Sequence, residues 1–235
     1  MKILFTGGNG RFGSVFKKKT KLKNIIFPSK KELDILNPKK ILNYLKKNKP
    51  KIIIHAAGLS RPMILHDKNI NLSIDTNIIG TCNLVKICKD LNIKLIYLST
   101  NYVYPGLKGN YKENDCLLPY NNYAWSKLGG ECAVQMYKNS LILRICMTEK
   151  PFIHKKAFVD LITNFIFHED IIKIFPKLIK ERGVLNIGGQ TKSVYKFAKN
   201  FNKGVKGIKA RKYLGKNIPL NHSMSLKKLK EIIND

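Results

Sequence analysis

At 235 residues the chain is long enough to bury a sizeable core in one compact unit, and it has no apolar run near the roughly 18–20 residues that span a bilayer. Its formal charge of +29 invites a nucleic-acid role, yet only five of the 44 basic residues are arginine and the lysines are spread along the whole chain. Arginine is the residue favoured for specific phosphate and base contacts, so the excess reads as compositional and argues against nucleic acid.

The first residues carry the first signal. Lys2 to Thr6 reads as a short strand, Gly7-Gly8-Asn9-Gly10-Arg11-Phe12-Gly13 as a tight turn, and Ser14 to Lys19 as a helix. A strand, a glycine turn and a helix start are what a pyrophosphate-binding βα unit requires. The helix N-terminus supplies unpaired N–H groups and partial positive charge. Cofactor contacts are therefore expected from Gly7, Asn9, Gly10, Arg11, Phe12 and Gly13.

A second strand, Asn24 to Phe27, ends where a carboxylate would hold the ribose 2′-hydroxyl of NAD. Pro28, Ser29, Lys30 and Lys31 stand there instead. A hydroxyl and two cations suit a 2′-phosphate, so NADP(H) is preferred and NAD(H) stays open. Leu33, Asp34 and Ile35 are placed to frame the adenine.

Lys51 to His55 reads as a third, buried strand, with His55 a packed residue at its end. The small residues Ala56, Ala57 and Gly58 then let a flat cofactor lie against the backbone. A long helical stretch from about Asp67 to Leu91 follows, carrying Asn77 and Gly80. The strand Ile93 to Leu98 delivers Ser99, Thr100, Asn101 and Tyr102 to the same sheet edge, where open parallel sheets bind ligands.

Tyr123 and Lys127 stand four apart, which on a helix sets their Cβ atoms about 5–6 Å apart on one face. A free tyrosine titrates near pKa about 10 and is a poor proton shuttle at neutral pH. A cation within roughly 4–6 Å favours the phenolate and lowers that value. A hydroxyl, a tyrosine and a lysine thus converge beside a nicotinamide.

These segments together resemble an extended short-chain dehydrogenase/reductase, most similar to the dTDP-4-dehydrorhamnose reductase family of sugar-nucleotide enzymes. The resemblance rests on the stretches 6–13, 55–58, 99–106 and 109–113, on Pro119, on Tyr123 with Lys127, and on 141–144 and 183–189. It implies that Thr100 hydrogen-bonds a substrate carbonyl and that Tyr123 donates the proton as hydride arrives. Lys127 would bind the nicotinamide ribose and lower the tyrosine pKa. The implied reaction is reduction of a 4-keto-6-deoxyhexose on a nucleoside diphosphate, a step of carbohydrate biosynthesis. Asn101 and Tyr104 replace an aspartate and a phenylalanine of the family pattern, which puts the role of a carboxylate there in doubt. Asn101 and Tyr102 also lack the Asp–Glu pair of the related dehydratases. Epimerisation stays open, as does a non-catalytic role like that of the methionine adenosyltransferase β subunit.

By strand position Cys146 lies near the nicotinamide, with Met147 and Thr148. Arg61 is the cation expected to face the substrate; Thr100, Asn101, Tyr102 and Phe158, with Thr163, are expected near the sugar. The expected fold is α/β, a Rossmann-type doubly wound parallel sheet (residues 1–149) with a small C-terminal substrate lobe (150–235) that partly returns to the sheet. Residues 203–220 read as a basic loop and 225–233 as a last helix. Five cysteines without a C-x-x-C pair fit neither a disulfide framework nor a zinc site. With no charged-then-apolar leader, a cytoplasmic protein is expected, with a nucleotide-sugar substrate and possible homodimerisation through helices near 74–90 and 121–137.

Overall fold

The computed structural model describes residues 1–234. Six parallel strands form the central sheet: β1 (Ile3–Thr6), β2 (Ile25–Ile26), β3 (Ile52–His55), β4 (Lys94–Thr100), β5 (Ser140–Ile145) and β6 (Gly183–Ile187). Their spatial order is β6-β5-β4-β3-β1-β2, every pair parallel, so the order reverses between β1 and β3. The crossover helices are α1 (Arg11–Lys19), α2 (Pro38–Asn48), α3 (Gly80–Asp90), α4 (Asn122–Gln135) and α5 (His168–Leu178).

The strands are almost wholly apolar because both faces are covered. Their period of two divides the side chains. Ile3, Phe5, Ile52, Ile54, Ile96, Leu98, Leu141 and Leu143 pack with Phe12 and Phe16 of α1 and Ile171 and Phe175 of α5. Leu4, Ile53, Leu95, Tyr97 and Ile142 pack on the other face with Ile41 and Leu45 of α2 and Leu84 of α3. The sheet is the Rossmann-type fold expected.

Two expectations need correction. The helix expected from Asp67 to Leu91 is broken into the short turns Leu65–Lys68 and Ile70–Ser73, a π-helix over Ile74–Ile79, and α3. Asn69 accepts from the Leu72 N–H and restarts the helix, and the widened turn holds Asn77 inward, buried and hydrogen-bonded. The stretch 203–220 is not a plain loop. Lys206–Ile208 pairs in parallel with Lys156–Phe158, and Ala210–Leu214 is a short helix. A three-residue strand paired with one about fifty residues earlier leaves no local periodicity to read.

Residues 150–167 and 190–226 build a small lobe around Phe152, Ala157, Leu161, Val194, Ala198, Val205 and Ala210. Between them the chain returns to the sheet through α5 and β6. The last helix, Lys227–Asn234, lays Leu229 on the sheet face lined by α1 and α5. Among the described residues no helix is long and apolar enough to cross a membrane.

Candidate active site

Every strand ends on the same edge, and the Gly7–Gly13 turn sits where the strand order reverses. Gly7 has φ 74°, and a Cβ there would come within 2.7 Å of the Ala57 nitrogen. A Cβ on Gly13 would strike the Gly7 carbonyl oxygen. Only glycine lets α1 begin this close to β1 and β3, which leaves a trough over the strand ends with the N-terminus of α1 facing it.

Two clefts of about 310 and 320 Å³ share Gly7, Gly10, Ala56 and Gly58 and so form one trough. Asn9, Lys30, Asp34, Ile35 and Ala57 line the far half, with Leu33 and Thr76. Arg11, Phe12, Gly13, Arg61, Ser99, Thr100, Asn101, Tyr102, Tyr123, Lys127 and Cys146 line the near half. The sheet edge and α4 thus bring most of the expected residues together.

Ser29, Lys31, Asn77, Thr148, Phe158 and Thr163 do not line it. The Ser29 N–H and hydroxyl both donate to Glu32 Oε2, each at 2.8 Å, so its side chain serves the turn rather than the trough. Asn77 stands behind the wall: its Oδ1 accepts from the Leu59 N–H at 2.7 Å and its Nδ2 donates to the Leu59 carbonyl and to Ser126 Oγ. It fastens the segment after β3 to the helix that carries Tyr123. Phe158 packs in the lobe, 6.2 Å ring to ring from Tyr213, while Phe165 lines the trough instead.

Tyr123 opens one side of its ring to the cleft, but its hydroxyl lies deep enough that burial raises its pKa. The nearby Thr100 hydroxyl and the charges of Arg61 and Arg11 oppose that rise. Lys127 is not among the groups that lower it in the free protein. The Lys127 ammonium sits 4.1 Å above the centre of the Tyr97 ring, a cation–π contact, and burial pushes its pKa down to about 7 against the pull of Glu131. His55 is closed off as expected, its ring nitrogens 2.9 Å from Thr6 Oγ1 and 3.1 Å from Thr81 Oγ1, and burial then Lys127 lower its pKa to about 3.

Ser99 lines the trough, but its hydroxyl donates to Glu131 Oε2 at 2.6 Å. Glu131, fully buried, also accepts from Arg144 Nε at 3.0 Å and Nη2 at 2.6 Å. Arg144 Nη1 donates onward to the Tyr104 hydroxyl and the Glu113 carbonyl. That explains the tyrosine at 104: a phenylalanine would leave a buried guanidinium N–H one acceptor short. Asn101 has a matching logic. Its Nδ2 donates to Thr163 Oγ1 and to the His222 carbonyl, each at 3.3 Å, and a carboxylate facing that carbonyl would have no proton to give. The Cys146 thiol is 2.9 Å from Thr163 Oγ1 and is pushed up to about 12 by burial, so it is no nucleophile.

Sequence reasoning missed Glu131, Glu149, His168 and Phe165. Only Glu131 left a signal, standing four residues after Lys127 on the same helix face.

The RmlD substrate binding domain family model matches residues 1–176. The chain is 42% identical over 108 residues to GDP-L-colitose synthase of Yersinia pseudotuberculosis, covering 45% of this chain and 35% of that protein. It is 32% identical over 114 residues to methionine adenosyltransferase 2 subunit beta of Xenopus laevis, covering 48% of this chain and 34% of that protein. The chain thus spans about a third of the length of these relatives. The crystal structure of dTDP-4-dehydrorhamnose reductase from Bacillus anthracis in complex with NADP superposes with a TM-score of 0.86, covering 98% of this chain and 93% of that one at 23% identity. A match over residues 1–176 on this fold places the chain in the RmlD substrate binding domain family, the dTDP-4-dehydrorhamnose reductase family that its motifs resemble.

Proposed function

We propose that the protein is an NADP(H)-dependent oxidoreductase that reduces a nucleoside-diphosphate 4-keto-6-deoxysugar. The observation that carries this reading is that Thr100, Tyr123 and Lys127 line one cleft with the Gly7–Gly13 turn. A trough that only glycine at 7 and 13 can leave open fits a dinucleotide. The Gly10–Gly13 segment would hold the pyrophosphate, Asp34 and Ile35 the adenine end, and Lys127 the ribose nearest Tyr123. A nicotinamide bound there would supply the hydride.

The chain's own residues supply position and the proton. The Thr100 hydroxyl, in the same cleft as Tyr123, would orient a carbonyl oxygen at the tyrosine. Burial keeps the phenol protonated at neutral pH, the state a proton donor needs. The sugar side would be provided by the lobe of residues 150–167 and 190–226, with Phe165 facing the cleft. NADPH oxidation with a panel of nucleoside-diphosphate 4-keto-6-deoxysugars tests the reading; no turnover with any of them, with cofactor bound, would overturn it.

A second reading, a cofactor-binding subunit serving another enzyme, is supported by the identity to methionine adenosyltransferase 2 subunit beta. It predicts tight cofactor binding, no turnover and co-purification with a partner. An epimerase predicts sugar conversion without net NADPH consumption.

Two substitutions probe the trough directly. Lys30 lines it and Lys31 does not, so Lys30→Glu alone should move the NADPH-to-NADH preference toward NADH by about tenfold or more. An unchanged ratio of kcat/KM values would show that another group meets the 2′ position. Lys127→Met should weaken cofactor binding and abolish turnover without lowering Tm. Burial of the ammonium opposes folding: the folded-state pKa of about 7 lies below the ordinary value, so charging it costs stability below about pH 10. Glu131 keeps Arg144 and Ser99 as partners when the lysine is gone. A Tm several degrees lower would show that Lys127 is structural.

A further inference from the structure

Two of the chain's five arginines meet on one carboxylate beside the glycine turn. Arg11, the first residue of α1, places Nη1 3.0 Å from Glu149 Oε1 and Nη2 3.1 Å from Ser60 Oγ. Arg61, from the segment after β3, places Nη1 3.5 Å from Glu149 Oε2. All three residues line the cleft that holds Tyr123, and His168 lines it beside them. The carboxylate therefore joins two elements across the cleft where an anionic ligand would lie.

The pairs are open: both arginine side chains are 45% exposed and Glu149 is 26% exposed. Ion pairs this accessible are screened by water and hold only weakly. A guanidinium fork matches phosphate as well as carboxylate, and a diphosphate brings more charge than one carboxylate. Resting on the reading of the cleft as a nucleotide site, we propose that Glu149 is a resident counter-ion, displaced when a diphosphate enters to take Arg11 and Arg61. The carboxylate thereby raises the ligand concentration at which the cleft fills. On a chain of net charge +29 such competition has a use. It raises the threshold for every diphosphate, so a polyphosphate that brings charge alone falls below it while a ligand that also fills the rest of the trough still binds. The diphosphate is that of the dinucleotide, which would lie at the turn beside Arg11, or that of the nucleotide sugar.

Dissociation constants for NADPH, by fluorescence, and for dTDP, by calorimetry, are measured for the wild type, Glu149→Gln, Arg61→Gln and the double variant. Circular dichroism confirms that each is folded. Glutamine keeps the size and the acceptor oxygen of Glu149 but loses its charge. Glu149→Gln is expected to bind one or both ligands about 3- to 10-fold tighter, the range two exposed pairs allow. The gain should shrink when Arg61→Gln is added, because only the Arg11 pair is then left to release. Tightening confined to NADPH assigns the site to the cofactor's diphosphate, and tightening confined to dTDP assigns it to the substrate's. Affinities unchanged within about twofold or weakened for both ligands, or a gain undiminished by loss of Arg61, would overturn the displacement. A wild type that binds neither ligand overturns the nucleotide reading itself, and displacement with it.

Discussion

Tyr123→Phe is expected to lower turnover by about 10²–10⁴-fold while dinucleotide binding stays intact. The substitution deletes one hydroxyl and leaves the ring, which packs edge-on against His66 at 5.1 Å and Tyr102 at 6.5 Å between centroids. Thr100 borders the cleft, so water can fill the space the hydroxyl leaves. What disappears is the proposed proton donor. Because burial raises the phenol pKa, the acid form persists above the ordinary tyrosine range, and neutral-pH behaviour has to come from another group. That group is Lys127, at about 7 in the free protein. It is charged below that value and neutral above, so kcat/KM should fall as pH rises through about 7. Single-turnover and steady-state rates with a turned-over substrate, beside a cofactor titration, provide the check. A phenylalanine variant keeping more than about a tenth of the wild-type rate would remove Tyr123 from the chemistry.

The parts legible in the sequence are those with short-range geometry. The glycine turn, the apolar strands and the four-residue step from Tyr123 to Lys127 are each set within a few residues, and the fold puts them where that spacing implied. The parts that escaped depend on distant partners. Glu131 stands four residues from Lys127, but a glutamate at that spacing reads as a solvated helix pair. Its burial is decided by Arg144, which reaches it from β5. Asn101 looked like a lost charge, and the reason for an amide is the His222 carbonyl, brought in by the lobe. Glu149 and Phe165 sit on short irregular segments whose strands are two residues long, below any periodicity. Ser29 was expected at the cofactor, and nothing local shows that Glu32 occupies its hydroxyl.

Loss of Glu131 should be the most damaging single change outside Tyr123, because stability and chemistry both draw on it. Glu131→Ala leaves a guanidinium whose side chain is 2% exposed with only the Tyr104 hydroxyl and the Glu113 carbonyl as partners, and leaves Ser99 without its acceptor. Removing one member of a buried pair costs about 3–5 kcal/mol, which for a chain of this length lowers Tm by on the order of 10 °C. Lys127 also loses the one anion that opposes its burial, so its pKa falls further and the ammonium is lost at neutral pH. Glu131→Gln, which keeps an acceptor, should cost less stability yet share the loss at Lys127. The double variant Glu131→Leu with Arg144→Met separates the two effects. With both charges gone no uncompensated ion is buried, so most of the stability should return, because apolar replacement of a buried pair is often neutral or better. Cofactor binding should not return, since Lys127 still has no anion beside it. Chemical denaturation of the three variants decides the matter. A loss below about 1 kcal/mol for Glu131→Ala, or a double variant no more stable than the single one, would show that the ion pair does not hold this end of the sheet.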